Sequence, residues 1–264
     1  MNFCDFLFDE GHFERSILAC FRFVFLYPDD EQIPLVYYRI ARSYEESGLL
    51  DLAIEYFQQV QGEVGPASSE FVSAQHRIAY IRLMDADYDA VHEIASEAID
   101  PYLIVFDGYA SLSQREWEDA RSAFLKAGKR FESPGYRRIL RRLIRACEGA
   151  SSVPKKKGST AGFYGIFPGG GRVYQQDWKG AAGTLISVSG LGLQLVFRGS
   201  SPFSLWIPGI AVASLYAASV MGSTQEVEFS NEALLKRYAR GINAKLGPEN
   251  FVDFPEPGPL SAGS

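Results

Sequence analysis

Residues 37–60 read YYRIARSYEESGLLDLAIEYFQQV, and this stretch decides the fold. Ala41 and Tyr44 lie on one helical run, and Gly48, Leu50, Ala53 and Phe57 follow on a second. Their spacing is that of two amphipathic helices, not of strands. Small side chains sit where two antiparallel helices touch, and large ones fill the gaps beside them. A turn between such helices accepts glycine in the left-handed backbone conformation.

Similar runs lie on both sides. Residues 11–28, GHFERSILACFRFVFLYP, carry Gly11, Phe13, Ser16 and Pro28 in the same order. Residues 76–99, HRIAYIRLMDADYDAVHEIASEAI, place Ala79, Tyr88, Ala95 and Ala98. Residues 106–128, FDGYASLSQREWEDARSAFLKAG, place Gly108, Trp117, Ala120, Phe124 and Ala127. The equivalent small positions are Ser16, Ala53, Val91 and Ala120, spaced 37, 38 and 29 residues apart. Insertions are expected near GEVGPASS (62–69). Only the second helix of the first copy is well marked, as a trimmed N-terminus would leave it. Self-similarity of this kind is the signature of a stacked helical array. An unrelated all-α bundle is the alternative, since helical periodicity alone looks similar.

The chain resembles the tetratricopeptide-repeat family, and residues 37–60 match it best. The resemblance implies a superhelical stack of helix pairs, whose concave face in that family commonly binds peptides or partner proteins. Candidate partner-binding side chains are Tyr37, Arg39, Gln75, Arg82 and Tyr109 on the first helices. Tyr44 is expected to pack between repeats.

Charge divides the chain. Residues 1–120 carry 23 acidic and 7 basic side chains, residues 121–157 carry 2 and 12, and the remainder is nearly neutral. An acidic body, a basic collar and an apolar tail suggest a soluble module, a membrane-surface contact and a membrane segment. The collar holds YRRILRRLIRACEGA (136–150), with Ile139, Leu140, Leu143, Ile144 and Ala146 on one side. Arg137, Arg138, Arg141, Arg142 and Arg145 lie on the other, followed by Lys155, Lys156 and Lys157. Such a helix can cap a solenoid with a polar face, or lie over anionic lipid. No aromatic interleaving accompanies the charges, so nucleic acid is not an expected partner.

From Gly180 to Phe197 there are 18 residues without a charge, and from Gly199 to Gln225 there are 27. A bilayer core of about 30 Å takes roughly 20 apolar residues per helix. The pair is expected to form a transmembrane helical hairpin turning at RGSSP, with a possible homo-oligomer through its Gly- and Ser-rich faces. A hairpin buried in a soluble protein is the alternative. Ahead of it, AGFYGIFPGGGRVYQQDWKGAAG (161–183) resembles the opening segment of small bacterial TM2-like two-helix membrane domains. Pro168, Gly169, Gly171 and Tyr174 carry that resemblance, with Trp178 matching more loosely. It implies a membrane module and no particular activity.

The expected architecture is all-α: a repeat domain over 1–150, a basic linker over 151–160, a PGGG segment plus hairpin over 161–225, and a polar tail over 226–264. Basic flanks on both sides of the hairpin place the repeats in the cytoplasm of a bacterial-type inner membrane. The periplasm is the alternative, should a leader precede Met1. Cys4, Cys20 and Cys147 make no C-x-x-C pair and fit a reducing compartment. The three histidines, His12, His76 and His92, lack metal-ligand spacing, and the GGG run lacks a G-K-[ST] ending. Neither catalysis, a metal nor a cofactor is expected. The expected role is a membrane-anchored adaptor that binds a protein or peptide. A subunit of a membrane transport or assembly complex, using the hairpin for its contacts, is the alternative.

Overall fold

The computed structural model describes residues 3–165, 167, 170–174, 177–197 and 202–258. Among these residues the regular structure is helical, with no strand. The chain divides into two compact units, Met1–Ser151 with Ala239–Ser264, and Ser152–Tyr238.

The first unit opens with four helix pairs. These are α1 (Phe3–Asp9) with α2 (Phe13–Leu26), α3 (Ile33–Glu46) with α4 (Leu50–Glu63), α5 (Ser69–Met84) with α6 (Tyr88–Ala95), and α7 (Pro101–Gln114) with α8 (Trp117–Gly128). Each packs on the next in sequence, and α1, α3, α5 and α7 also touch in order, so the first helices share one face. Side-chain caps start several helices. Ser68 Oγ accepts from Phe71 N–H at 3.1 Å, and Asp100 Oδ1 accepts from Tyr102 and Leu103 N–H at 2.8 and 3.2 Å. These bonds satisfy amides that the first turn leaves unpaired.

The four intra-pair turns are built alike. Gly11, Gly48, Ala86 and Arg115 all have positive φ, at 76°, 76°, 62° and 71°. Each of these residues donates its N–H to the carbonyl three back, and the next residue donates to the carbonyl five back from itself. At Gly48 the bonds are Gly48 N to Glu45 O, 3.0 Å, and Leu49 N to Tyr44 O, 2.9 Å. At Arg115 they are Arg115 N to Leu112 O, 3.1 Å, and Glu116 N to Ser111 O, 2.8 Å. This is the Schellman closure of a helix end. Beyond each turn the same register places Ser16, Ala53, Val91 and Ala120, all fully buried at 0% exposure. The small residues recognised in the sequence therefore mark equivalent positions in three dimensions.

One expectation is corrected here. The first pair is not missing its first helix, because residues 3–9 form α1, packed on α2 and α3. Buried Asp5 pairs with Arg39 Nε at 2.7 Å, and Ser16 Oγ donates to Cys4 O at 3.0 Å. A helix of seven residues spans too few turns to announce itself by periodicity.

α9 (Pro134–Gly149) packs on α8 and closes this series of helices. Leu140, Leu143 and Cys147 are buried, while Arg137, Arg138, Arg141, Arg142 and Arg145 face solvent. The division expected of a capping helix is met.

The second unit contains α10 (Gly158–Gly165), α11 (Gly170–Tyr174), α12 (Trp178–Phe197) and most of α13 (Pro202–Leu246). Lys156 N–H donates to Asn231 Oδ1, and Asn231 Nδ2 donates back to Lys156 O, both at 2.8 Å. Tyr174 stacks on Tyr164 at 5.5 Å, Trp178 is exposed, and Gly171 lies in α11. Pro168, Gly169 and residues 198–201 of the expected turn lie outside the described residues. Among the described residues no helix is long and apolar enough to cross a membrane. Gly183, Thr184, Ser187 and Gly190 dilute the apolar side chains of α12, and α13 carries charges from Glu226 onward.

The boundary expected at 226 also moves. α13 runs unbroken to Leu246, because nothing between Glu226 and Leu246 stops a helix until Gly247-Pro248.

Candidate functional site

Two helices of the first unit carry polar and aromatic side chains along one stripe. Ser73, His76, Arg77 and Tyr80 occupy positions i, i+3, i+4 and i+7 of α5. Tyr102, Phe106 and Tyr109 occupy i, i+4 and i+7 of α7. These spacings put each set on one helix face. The two faces meet a single strip of chain, residues 246–256.

That strip leaves α13 through a short 3-10 turn, Pro248–Phe251, and continues without regular secondary structure to Gly258. Phe251 is fully buried, at 0% exposure. Its ring stacks on Tyr136 at 5.2 Å and meets Phe131 and Tyr109 at 5.9 and 6.1 Å. Phe254 is 4% exposed. It sits among His76, Tyr102 and Phe106 at 5.4, 6.0 and 6.2 Å, with the Arg77 guanidinium 4.7 Å above its ring.

The backbone of the strip is held through its carbonyls. Tyr109 OH donates to Leu246 O at 2.5 Å, Tyr102 OH to Asp253 O at 3.1 Å, and Ser73 Oγ to Pro255 O at 2.7 Å. Burial pushes the Tyr109 phenol well above its usual pKa, with the Glu249 charge adding to it, so the group stays a donor. Burial, then the hydrogen bond and charge of Tyr136, raise the Tyr102 phenol likewise.

Beyond Phe254 the contact becomes ionic. Arg77 Nη2 bonds Glu256 Oε1, and Arg42 Nε lies 3.4 Å from the same oxygen. Glu45 ties the two arginines together, at 2.7 Å from Arg42 and 3.2 Å from Arg77. Burial opposes the Arg42 charge, but Glu45, Glu256 and Glu46 outweigh it and push its pKa up.

Magnitudes rank these contacts. Burying a phenylalanine is worth roughly 1.5–3 kcal/mol, with about 0.5–1.5 more for each good ring pair. A pair to Glu256, whose side chain is 40% exposed, is worth about 0–1 kcal/mol. The two rings hold the strip, and the arginines and hydroxyls set its register.

The side chains anticipated for partner contact divide. Tyr109 meets the strip. Arg39 does not, because it is committed to Asp5 and lies 4.5 Å over the Phe8 ring. Arg82 pairs with Asp87 at 3.2 Å across the α5–α6 turn. Tyr37 packs at 6.2 Å on Tyr56, and Tyr44 stacks there at 5.5 Å, as a repeat-packing residue does. Gln75 is half-buried on α5. Of these five side chains, only Tyr109 lies against the strip. The available signal was the i, i+3, i+4, i+7 stripe on α5, combined with a mate for it in the C-terminal Phe-x-x-Phe.

The basic side chains Arg138, Arg141 and Arg142 are exposed. Arg137 donates to Glu132 O at 2.7 Å, and Lys156 is held beside Asn231; Lys155 and Lys157 are exposed. His92 bridges two helices, with Nδ1 2.7 Å from Asp107 Oδ1 and Nε2 2.9 Å from Gln114 Oε1. His76 lies 2.8 Å from Asp100 under the Phe254 ring. Among the described residues no cluster of His, Cys, Asp and Glu is arranged to hold a metal.

Compared with family models, with curated proteins and with solved structures, the chain matches none.

Proposed function

We propose that this chain is a protein-binding scaffold of the tetratricopeptide kind, and that the face formed by α3, α5 and α7 is its peptide groove. One observation carries the reading. The face already receives a segment without helix or strand of its own beyond Phe251, held by two buried rings and by side-chain donors to three backbone carbonyls. Main-chain contacts with pockets for alternate side chains are how grooves recognise extended peptides. The repeated turns and the equivalent buried positions at Ser16, Ala53, Val91 and Ala120 support the family assignment.

The test is selection of displayed peptides on the full chain, followed by Arg77→Glu and Tyr80→Ala. Selected peptides are expected to lose binding to both variants. Binding that persists unchanged in both would remove this face from consideration.

A second reading concerns the second unit, where Phe163, Phe167, Trp178, Ile186, Leu193 and Ile210 are exposed apolar side chains. Patches of this kind mark contact surfaces. With the uncharged runs of α12 and α13, they support attachment of this unit to a lipid membrane. The adaptor would then hold its partner at that membrane. Flotation of the chain with lipid vesicles tests this: the chain is expected to float with the vesicles, and its staying in the unfloated fraction would sink the attachment.

A further inference from the structure

We infer that Phe251–Glu256 is a built-in ligand, and that the external partner carries an acidic segment of the same chemistry, Phe-x-x-Phe-Pro-Glu, which displaces it. The inference rests on the groove reading above and specifies its ligand.

The groove reads three features of the strip independently. Two ring pockets stand three residues apart along the bound segment, filled by Phe251 and Phe254. The hydroxyls of Tyr102 and Ser73 bond carbonyls 253 and 255, alternate positions of the segment. Those bonds use no amide of the ligand, so proline is tolerated at 255 and 257 and pre-extends the segment. Arg42 and Arg77 then meet an acid at the position after that proline. Charge complementarity fixes the direction of the ligand, and the pockets fix its register.

The strip is held at few positions. After residue 251 it has no ladder or helix of its own, and its enclosed side chains are Phe251 and Phe254. Val252, Asp253, Pro255 and Glu256 are exposed. Once the two rings withdraw, little else retains the segment. Tethering gives the strip an effective concentration of about millimolar, so it masks the groove from weak binders and yields to a strong or abundant partner.

The probe is a fluorescein-labelled peptide of residues 247–258, GPENFVDFPEPG, titrated by fluorescence polarisation into the full chain. One variant, Phe251→Ala with Phe254→Ala, releases the strip, and a milder one, Glu256→Lys, loosens it while the rings remain. Both keep the groove residues unchanged, and circular dichroism reports that the helices remain. The peptide is expected to bind the double variant about 10–100-fold more tightly than the wild type, with Glu256→Lys between them. Adding Arg77→Glu to the double variant should abolish the gain, and a peptide carrying Phe254→Ala should not bind.

Absence of binding to both folded variants would overturn the inference. If library peptides of other sequence still bound there in an Arg77-dependent way, the groove reading would stand and only the ligand assignment would fall. If nothing bound, both would fall. A wild-type dimer that becomes monomeric on Phe251→Ala with Phe254→Ala would make the occupant a second copy of this chain and overturn the external partner.

Discussion

The guanidinium of Arg77 lies 4.7 Å above the ring of Phe254, although the two residues are far apart in sequence. Arg77 thus contacts the strip twice, through the ring and through Glu256. The ring contact is the sheltered one. The energetics of the strip should follow from that arrangement. Phe251→Ala is expected to destabilise the first unit by about 3 kcal/mol, as for other buried rings. The loss is bounded, because a strip that has come off cannot lose more. Phe251→Ala and Phe254→Ala together should therefore cost less than the sum of the single changes. Urea unfolding of the single and double variants measures this, and strict additivity would count against docking of the strip as one piece.

The four left-handed turn positions predict opposite outcomes for reciprocal changes. Gly48 and Ala86 hold equivalent places at φ 76° and 62°. Gly48→Ala should cost about 1–2 kcal/mol, the penalty of a Cβ in that conformation. Ala86→Gly removes the same penalty and should stabilise by up to about 1 kcal/mol. Thermal unfolding of the two variants checks the signs.

Gly108 marks the closest approach of α7 to α8. A Cβ built there would stand 2.7 Å from Phe124 Cε1, a ring that is completely buried. Gly108→Ala gains helix propensity but forces that ring to move. Overpacking of this size costs about 1–3 kcal/mol, more than the roughly 1 kcal/mol gained. Net destabilisation is expected, and pairing the change with Phe124→Leu should recover part of it.

His92 gives a pH signature. Burial opposes its charge, but hydrogen bonds to Gln114 and Asp107, with the charges of Asp107 and Glu116, outweigh it and raise the pKa above the ordinary 6.5. A raised folded pKa means stability that is fully present below about 6.5 and is lost as pH rises through the folded value. The wild type should therefore lose stability relative to His92→Gln between pH 6 and pH 8, by a small amount because solvent still reaches the half-buried pair. A difference that stays flat across that range would show that the imidazole is not charged in the bridge.

Asp5 and Arg39 form a buried pair, with side chains 3% and 13% exposed. Removing one partner leaves the other charged and desolvated. Asp5→Ala is expected to cost about 3 kcal/mol and to loosen α1, which hydrogen exchange at residues 4–9 would report.

The sequence by itself determined the helical pairs. Gly48, Ala53 and the equivalents of Ala53 at Ser16, Val91 and Ala120 were legible because helix packing writes small residues at fixed spacing, and that is local information. The polar face of α9 was legible for the same reason. Among the candidate side chains read from the sequence, only Tyr109 lies against the strip. Which stripe of α5 faces the strip depends on where α3 and α7 sit. One sequence does not give that, and Arg39 in particular is claimed by Asp5 on α1. The return of Phe251 and Phe254 to α5 and α7 was decided by tertiary structure alone. Their contacts join residues more than a hundred positions apart, and no local spacing records such a pairing. The apolar rings of an otherwise polar terminus became meaningful only once the aromatic pockets that receive them were in place.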